Sequence, residues 1–201
     1  MGSVIPDKGV GDLIQAVGHL KEKGIKPQLQ IAGGGDLAPF QRQVAELGLA
    51  SQVAFLGVVA HSRVSELMRE SSIVVVPSWH QYGEGLPLTI YEAFCARTPV
   101  IGSDHPMFLG NLLHGENALV FRERDAASLA ENIERLLTDA DLYEKLSQSS
   151  AEAWQRLQIP VKWGDLIRRW MVSTPENADW FQSYRFISGR YQVPRDRLLV
   201  S

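Results

Sequence analysis

The chain has one cysteine, Cys95, in 201 residues. An internal disulfide is therefore excluded, which fits a reducing compartment. With only five histidines beside it, cysteine and histidine are read as too sparse for a zinc site. Long apolar runs are also missing. Ile73 to Pro77 is far too short to cross a bilayer. Near the start, Asp7 and Lys8 break up the apolar residues, so no signal-peptide pattern is read there. The expected location is the cytoplasm. No charge dominates: 20 basic residues stand against 23 acidic ones. That balance gives no electrostatic case for nucleic acid. There are no repeats and no low-complexity tract. What remains has the hydrophobic content (45%) of an ordinary globular protein, and enough length for one full core plus extras.

Apolar periodicity supplies the organisation. Leu13, Ile14, Val17 and Leu20 form a helical stripe that ends at Gly24 and Pro27. Leu29 and Ile31 open a strand. A helix follows over 39–47, then a strand from Val53 to Leu56. Ser62 is the expected N-cap of a helix over 64–69. The unbroken run Ile73 to Val76 fits a strand covered on both faces. Val100-Ile101 and Leu119 to Phe121 are two more strands. Leu129, Ile133, Leu136 and Leu137 mark an amphipathic helix, and Asp139 or Asp141 caps the next one. This alternation predicts an α/β fold: a doubly wound, Rossmann-like parallel sheet of about six strands with a C-terminal helical extension. The expected divisions are a sheet domain over 1–150, amphipathic helices over 151–172, and an aromatic, arginine-containing tail over 173–201.

Two carboxylates carry the chemistry. Glu84 and Glu92 are separated by seven residues, and Pro87 between them marks a helix start. Glu84 then stands in front of the helix N-terminus, and Glu92 about one and a half turns inside it. Free N–H groups and the positive dipole end suit a phosphate. Carboxylates on either side suit the hydroxyls of the sugars that a phosphate joins. Glu92 can accept from a vicinal diol through both oxygens. Its neighbours Tyr91, Ala93, Phe94 and Cys95 are apolar, so its segment is expected to be buried. Together these features describe a holder of a nucleotide-sugar.

Lys8-Gly9, the strand and glycine turn from Gln28 to Asp36, Val53 to Gly57, Ile73 to Ser78, the Glu84–Glu92 segment, Thr98 to Asp104 and Gly115 to Phe121 occur in that order. The ordered set resembles the C-terminal, donor-binding domain of retaining family 4 (group 1) glycosyltransferases of GT-B fold. It covers about residues 2–150, with a weaker echo to 172. The resemblance implies a glycosyltransferase half that binds a nucleoside-diphosphate sugar, with an acceptor-binding domain supplied elsewhere. On it, Glu84 lies beside the donor sugar, Glu92 takes the ribose and Lys8 meets the diphosphate. Backbone at Gly33, Gly34 and Gly35 lines the donor cleft, and Val58 lies near the base. Read from position alone, the amides of Gly85, Leu86 and Leu88 around Glu84 can point at phosphate or sugar, and His105, at the carboxyl edge of its strand, can touch phosphate. The resemblance implies no catalytic metal and no separate cofactor. The family's usual arginine, five residues before the lysine, is Ser3 here; Arg63, Arg97 and His80 are the candidates to replace it. Val4-Ile5 is a remnant of a first strand, so the chain is expected to be a fragment, inactive in transfer by itself. A non-catalytic nucleotide-sugar sensor or docking module, or a synthase of the sucrose or glycogen type, are the alternatives.

Three other patterns are set aside or left open. Gly33 to Ala38 spells the dinucleotide fingerprint, yet it follows the second strand and lacks the acidic residue about 20 positions later. Asp139-Ala-Asp141 imitates a metal-binding D-x-D, and helix capping explains it. Trp163, Leu166, Ile167, Trp170 and Met171 recur at helical spacing. That stripe packs on the sheet domain or docks onto an absent one. The tail after 173 is read as a docking segment, with contact at a membrane surface as its alternative.

Overall fold

The computed structural model describes residues 2–159 and 161–185. Two compact units are formed, Met1–Arg156 and Leu157–Ser201. The first alternates helices and strands as expected. A 3-10 turn (Pro6–Lys8) leads into α1 (Val10–Glu22), followed by β1 (Leu29–Ala32), α2 (Ala38–Glu46), β2 (Val53–Gly57) and α3 (His61–Glu70). Then come β3 (Val74–Val76), α4 (Leu88–Ala96), β4 (Val100–Ser103), β5 (Leu119–Phe121), α5 (Ala126–Thr138) and α6 (Ala140–Leu157). The second unit contains α7 (Trp163–Met171) and α8 (Pro175–Ser183).

All strand pairs are parallel, but they form two half-sheets: β1–β2, and β3–β4–β5. Residues 2–4 run beside β1 without being counted as a strand. The Gly2 and Val4 amides donate to the Ala32 and Gly34 carbonyls at 3.2 and 2.8 Å. Helices cover both faces: α1 packs against α2 and α5, and α3 packs against α4.

Helix α1 joins two cores. Leu13, Ala16 and Leu20 pack with Ile101, Leu119, Leu129 and Leu146. Ile14 and Val17 pack with Val4, Ile31, Phe40 and Val53. Neighbouring helical residues point about 100° apart, so residues 13 and 14 reach different half-sheets.

Some local expectations change. Ala60, not Ser62, precedes the first turn of α3, and its side chain gives no cap bond. Asp139 does cap the following helix, accepting from the Leu142 amide at 2.9 Å. In α4 the buried residues are Thr89, Ile90, Ala93 and Phe94, while Leu88 and Cys95 face outward. The segment is buried as expected at Ala93 and Phe94, while Tyr91 and Glu92 are half-buried and lie on the more open side of the helix. In the second unit, Trp163, Trp170 and Met171 are exposed, while the Arg169 guanidinium stacks on Trp180 at 4.8 Å. The tail residues from Phe186 onward, including Tyr191, Arg190, Arg195 and Arg197, lie outside the described residues. Among the described residues no helix is long and apolar enough to cross a membrane.

Gly9, just before α1, packs directly against Pro77 in the loop after β3. Its φ is +67°, and a Cβ there would lie 2.0 Å from the Pro77 carbonyl oxygen. Gly9→Ala is expected to cost about 1–3 kcal/mol from backbone strain, with the clash added. A fall of several degrees in Tm should follow, and an unchanged Tm would contradict this packing.

Candidate functional site

The first four parallel strands end in loops that carry most of the predicted site: Gly33 after β1, Val58 after β2, Pro77-Ser78 after β3 and Asp104-His105 after β4. The carboxyl edge of such a sheet is where α/β proteins bind ligands. At its centre, the Lys8 amine lies 2.6 Å from Glu84 Oε2, 76 residues away in sequence. Ser78 Oγ donates to the same oxygen at 2.8 Å. Lys8 also sits over the Tyr82 ring, 4.6 Å from its centroid. The side chains of Lys8 and Glu84 are 19% and 10% exposed. A pair so far withdrawn from water is held by geometry rather than by chance encounter.

The loop around Glu84 is fixed from several directions. Trp79 donates its backbone amide to the Asp7 carbonyl at 2.8 Å and its indole N–H to Asp12 at 2.6 Å. The Arg124 guanidinium covers the Trp79 ring at 4.1 Å. Buried His105 accepts from the Met107 amide through Nδ1 at 3.1 Å. That assignment leaves the proton on Nε2, which faces the Tyr82 carbonyl at 3.1 Å. Both ring nitrogens are therefore engaged within the protein, and His105 positions the loop. His80 is held by Asp104 at 2.7 Å and by Glu123 at 3.4 Å.

Glu84 precedes α4 by four residues. Pro87, the residue before the helix, supplies no side-chain cap. Gly83 and Gly85 face open space. Glu92 lies about one turn inside the helix, its carboxylate 3.5 Å from the exposed His61 ring. Leu86 is half-buried and Leu88 is 70% exposed.

A second group forms beside the first. A Cβ on Gly34 would touch Val58 at 3.2 Å, and Val58 is 84% exposed. Gly33 and Gly35 take φ of +152° and +155°, and their closest approaches are to the carbonyls of Gly2 and Val4. The glycines thus admit residues 2–4 against β1. Of the cations considered as replacements at Ser3, Arg63 pairs with Glu66. Arg97 terminates α4 with φ 58°, about 13 Å of helix away from Glu84's end. His80 stays in the Glu84 loop. Ser78, Tyr82 and Arg124 were not singled out in the sequence; Ser78, directly after a buried strand at its carboxyl edge, was the one with a visible signal.

Comparison with known proteins places the chain in a family. The model of the glycosyl transferases group 1 family matches residues 1–153. The chain belongs to that family. It is 31% identical over 163 residues to the phosphatidyl-myo-inositol mannosyltransferase of Mycobacterium leprae, covering 81% of this chain and 42% of that protein. Its fold matches HepE of Anabaena, solved with UDP and glucose, at a TM-score of 0.69 and 23% identity, over 78% of this chain and 44% of HepE. It matches the solved C-terminal domain of a group 1 glycosyl transferase, LpcC of Francisella tularensis, at a TM-score of 0.65 and 22% identity, over 78% and 83% of the two chains. The chain spans less than half the length of the curated relatives it matches.

The Lys8–Glu84 pair is open to a direct test. Lys8→Met leaves a largely buried carboxylate with Ser78 as its remaining donor and is expected to cost about 1–3 kcal/mol. Adding Glu84→Gln should recover part of that loss, with a coupling of about 0.5–3 kcal/mol in urea unfolding. Additive losses would show that the two groups do not interact.

Proposed function

We propose that this chain is the C-terminal, donor-binding part of a retaining family 4 glycosyltransferase of GT-B fold. Its ligand is a nucleoside-diphosphate sugar, and the sugar goes to a glycan or glycolipid acceptor. The observation that carries this is the placement of Lys8 and Glu84 together in front of α4, with Glu92 one turn inside. Family membership and the UDP held by HepE support it.

In this reading the first-turn end of α4 faces the diphosphate, with backbone amides of Gly85, Leu86 and Leu88 as donors and the helix dipole favouring negative charge. Lys8 adds a point charge. Diphosphate binding draws the amine partly away from Glu84, whose carboxylate then accepts from the sugar hydroxyls. The same carboxylate stabilises positive charge that develops at the anomeric carbon. Ser78 keeps it oriented. Glu92 accepts from the ribose hydroxyls, and its half-open face is suited to a ligand that arrives from solvent. Val58 and the turn Gly33–Gly35 offer backbone to the base, and His105 holds the loop that carries Glu84. No metal or cofactor has a part in this reading. Acceptor and donor must be held together for fast transfer, so the chain alone binds donor without transferring sugar. Transfer to an acceptor by the purified chain would contradict that.

A thermal-shift panel of uridine, guanosine and adenosine diphosphates tests the class of ligand. Stabilisation by at least one is expected, and none by the free nucleosides, which lack the diphosphate. The two glutamates should then separate in calorimetry. Glu92→Gln is expected to weaken the nucleoside diphosphate roughly ten- to hundredfold, the worth of one charge-assisted hydrogen bond. Glu84→Gln should spare the free diphosphate and weaken the nucleotide-sugar. Equal losses from Glu84→Gln with both ligands would reverse the two roles.

A further inference from the structure

Between β5 and α5 the chain makes a four-residue turn, closed by the Asp125 amide donating to the Arg122 carbonyl at 3.2 Å. Arg124 stands third in it, with φ +59°. That position ordinarily takes glycine or asparagine, because a Cβ is crowded in the left-handed region. Among the described residues Arg97 is the other non-glycine with such a φ, and it ends α4, where left-handed backbone is common. Arg124 ends no helix. A local cost of this kind persists where surrounding contacts fix the residue.

The contacts lead to the loop that carries Glu84. The Arg124 guanidinium lies over the Trp79 ring at 4.1 Å and donates through Nη2 to the Gln81 side chain at 2.9 Å. Gln81 in turn donates to Asp7 at 2.9 Å. Glu123, the residue before, receives the His80 amide and faces the His80 ring. The turn is anchored in its own right, since the Glu123 amide donates to Asp104 at 2.9 Å, and the same Asp104 oxygen meets His80 Nε2 at 2.7 Å. Two adjacent residues thus hold three consecutive ones, 79 to 81. Among the described residues neither of the two pairs with Lys8 or Glu84.

Glu84 depends on such a hold. It is flanked by Gly83 and Gly85, whose outer sides are open, and two glycines leave the backbone free to turn. Its own bonds run to Ser78, at the base of the loop, and to Lys8, an amine that a diphosphate draws off. The carboxylate then keeps its place through the segment in front of it.

We propose that Glu123 and Arg124 are positioning residues for the sugar half of the donor: the turn after β5 clasps residues 79–81 and so fixes where Glu84 is presented. The proposal rests on the donor-binding reading. The diphosphate half, met by Lys8 and the front of α4, lies outside the clasp, so the two halves respond differently when it is loosened.

Arg124→Gly separates the clasp from fold stability, because glycine suits the φ of the turn while the guanidinium is lost. Arg124→Lys keeps a cation for the Trp79 ring and serves as the rescue. Both are compared with the unchanged full chain, first by amide exchange without ligand. Calorimetry follows with UDP and UDP-glucose, GDP and GDP-glucose, and ADP and ADP-glucose, using the pair that the unchanged chain binds. In Arg124→Gly, exchange at the Glu84 amide is expected to quicken and affinity for the nucleotide-sugar to fall, each roughly fivefold, the worth of one exposed cation–π contact. Tm and affinity for the free diphosphate stay as they were. Arg124→Lys should recover most of both losses. Unchanged exchange at Glu84 in Arg124→Gly would overturn the clasp, and equal losses for the diphosphate and the nucleotide-sugar would overturn its restriction to the sugar half. If the unchanged chain binds none of the pairs, the donor-binding reading fails, and exchange at Glu84 still decides the clasp.

Discussion

Everything at the carboxyl edge depends on eight residues that bridge two half-sheets with no strand-to-strand bond between them. Gly2 and Val4 bind β1 and the turn after it, the Asp7 carbonyl takes the Trp79 amide, Lys8 pairs with Glu84, and Gly9 lies against Pro77. One short segment thus touches the ends of β1 and β3 within a single turn of chain. Helix α1, which starts directly after it, repeats the same bridging in apolar form by sending alternate residues into two cores. The close approach admits no side chain at position 9, and this is why a glycine stands there.

The bridge sets the geometry of the proposed donor site. Lys8 comes from the bridge and Glu84 from the loop after β3, so their 2.6 Å pairing reports directly on how the half-sheets sit. A loop of eleven residues between β3 and α4 would by itself be mobile. Here its backbone and rings are tied at Trp79, His80, Tyr82 and Glu84 by groups from four other segments: residues 7–8, α1, the loop after β4 and the loop after β5. Such preorganisation is what a site requires if its groups are to meet a diphosphate without first being ordered. The glycines at 83 and 85 keep the outer side of that loop open.

Much of this was legible in sequence because it is local. Pro87 announced the start of α4, the alternation of apolar runs announced a parallel α/β fold, and the ordered motifs announced the family. The departures have physical reasons. Lys8 and Glu84 were assigned to phosphate and sugar separately; their mutual ion pair is a contact across 76 residues, which no spacing rule encodes. Glu92 was expected among buried neighbours because Tyr91, Ala93, Phe94 and Cys95 are apolar; Ala93 and Phe94 are buried, while Tyr91 is half-buried and Cys95 exposed, since the tertiary position of the helix chooses its face. Ser62 was read as a cap from residue type, whereas the extended backbone stands at Ala60. Helix α8 escaped notice although Thr174-Pro175 is a start signal: Thr174 Oγ1 accepts from the Asn177 amide at 3.2 Å. The split of the sheet had only the shortness of Val4-Ile5 as its trace.

The central claim is that the front of α4, with Lys8, Glu84 and Glu92 around it, is a nucleoside-diphosphate site. Amide-resolved NMR of the chain, titrated with the diphosphate that stabilises it most, tests this directly. The account predicts saturable shifts at Lys8, Gly85, Leu86, Leu88 and Glu92, with the largest at the amides in front of the helix. Saturable shifts that leave these residues unmoved and gather elsewhere on the domain would contradict it.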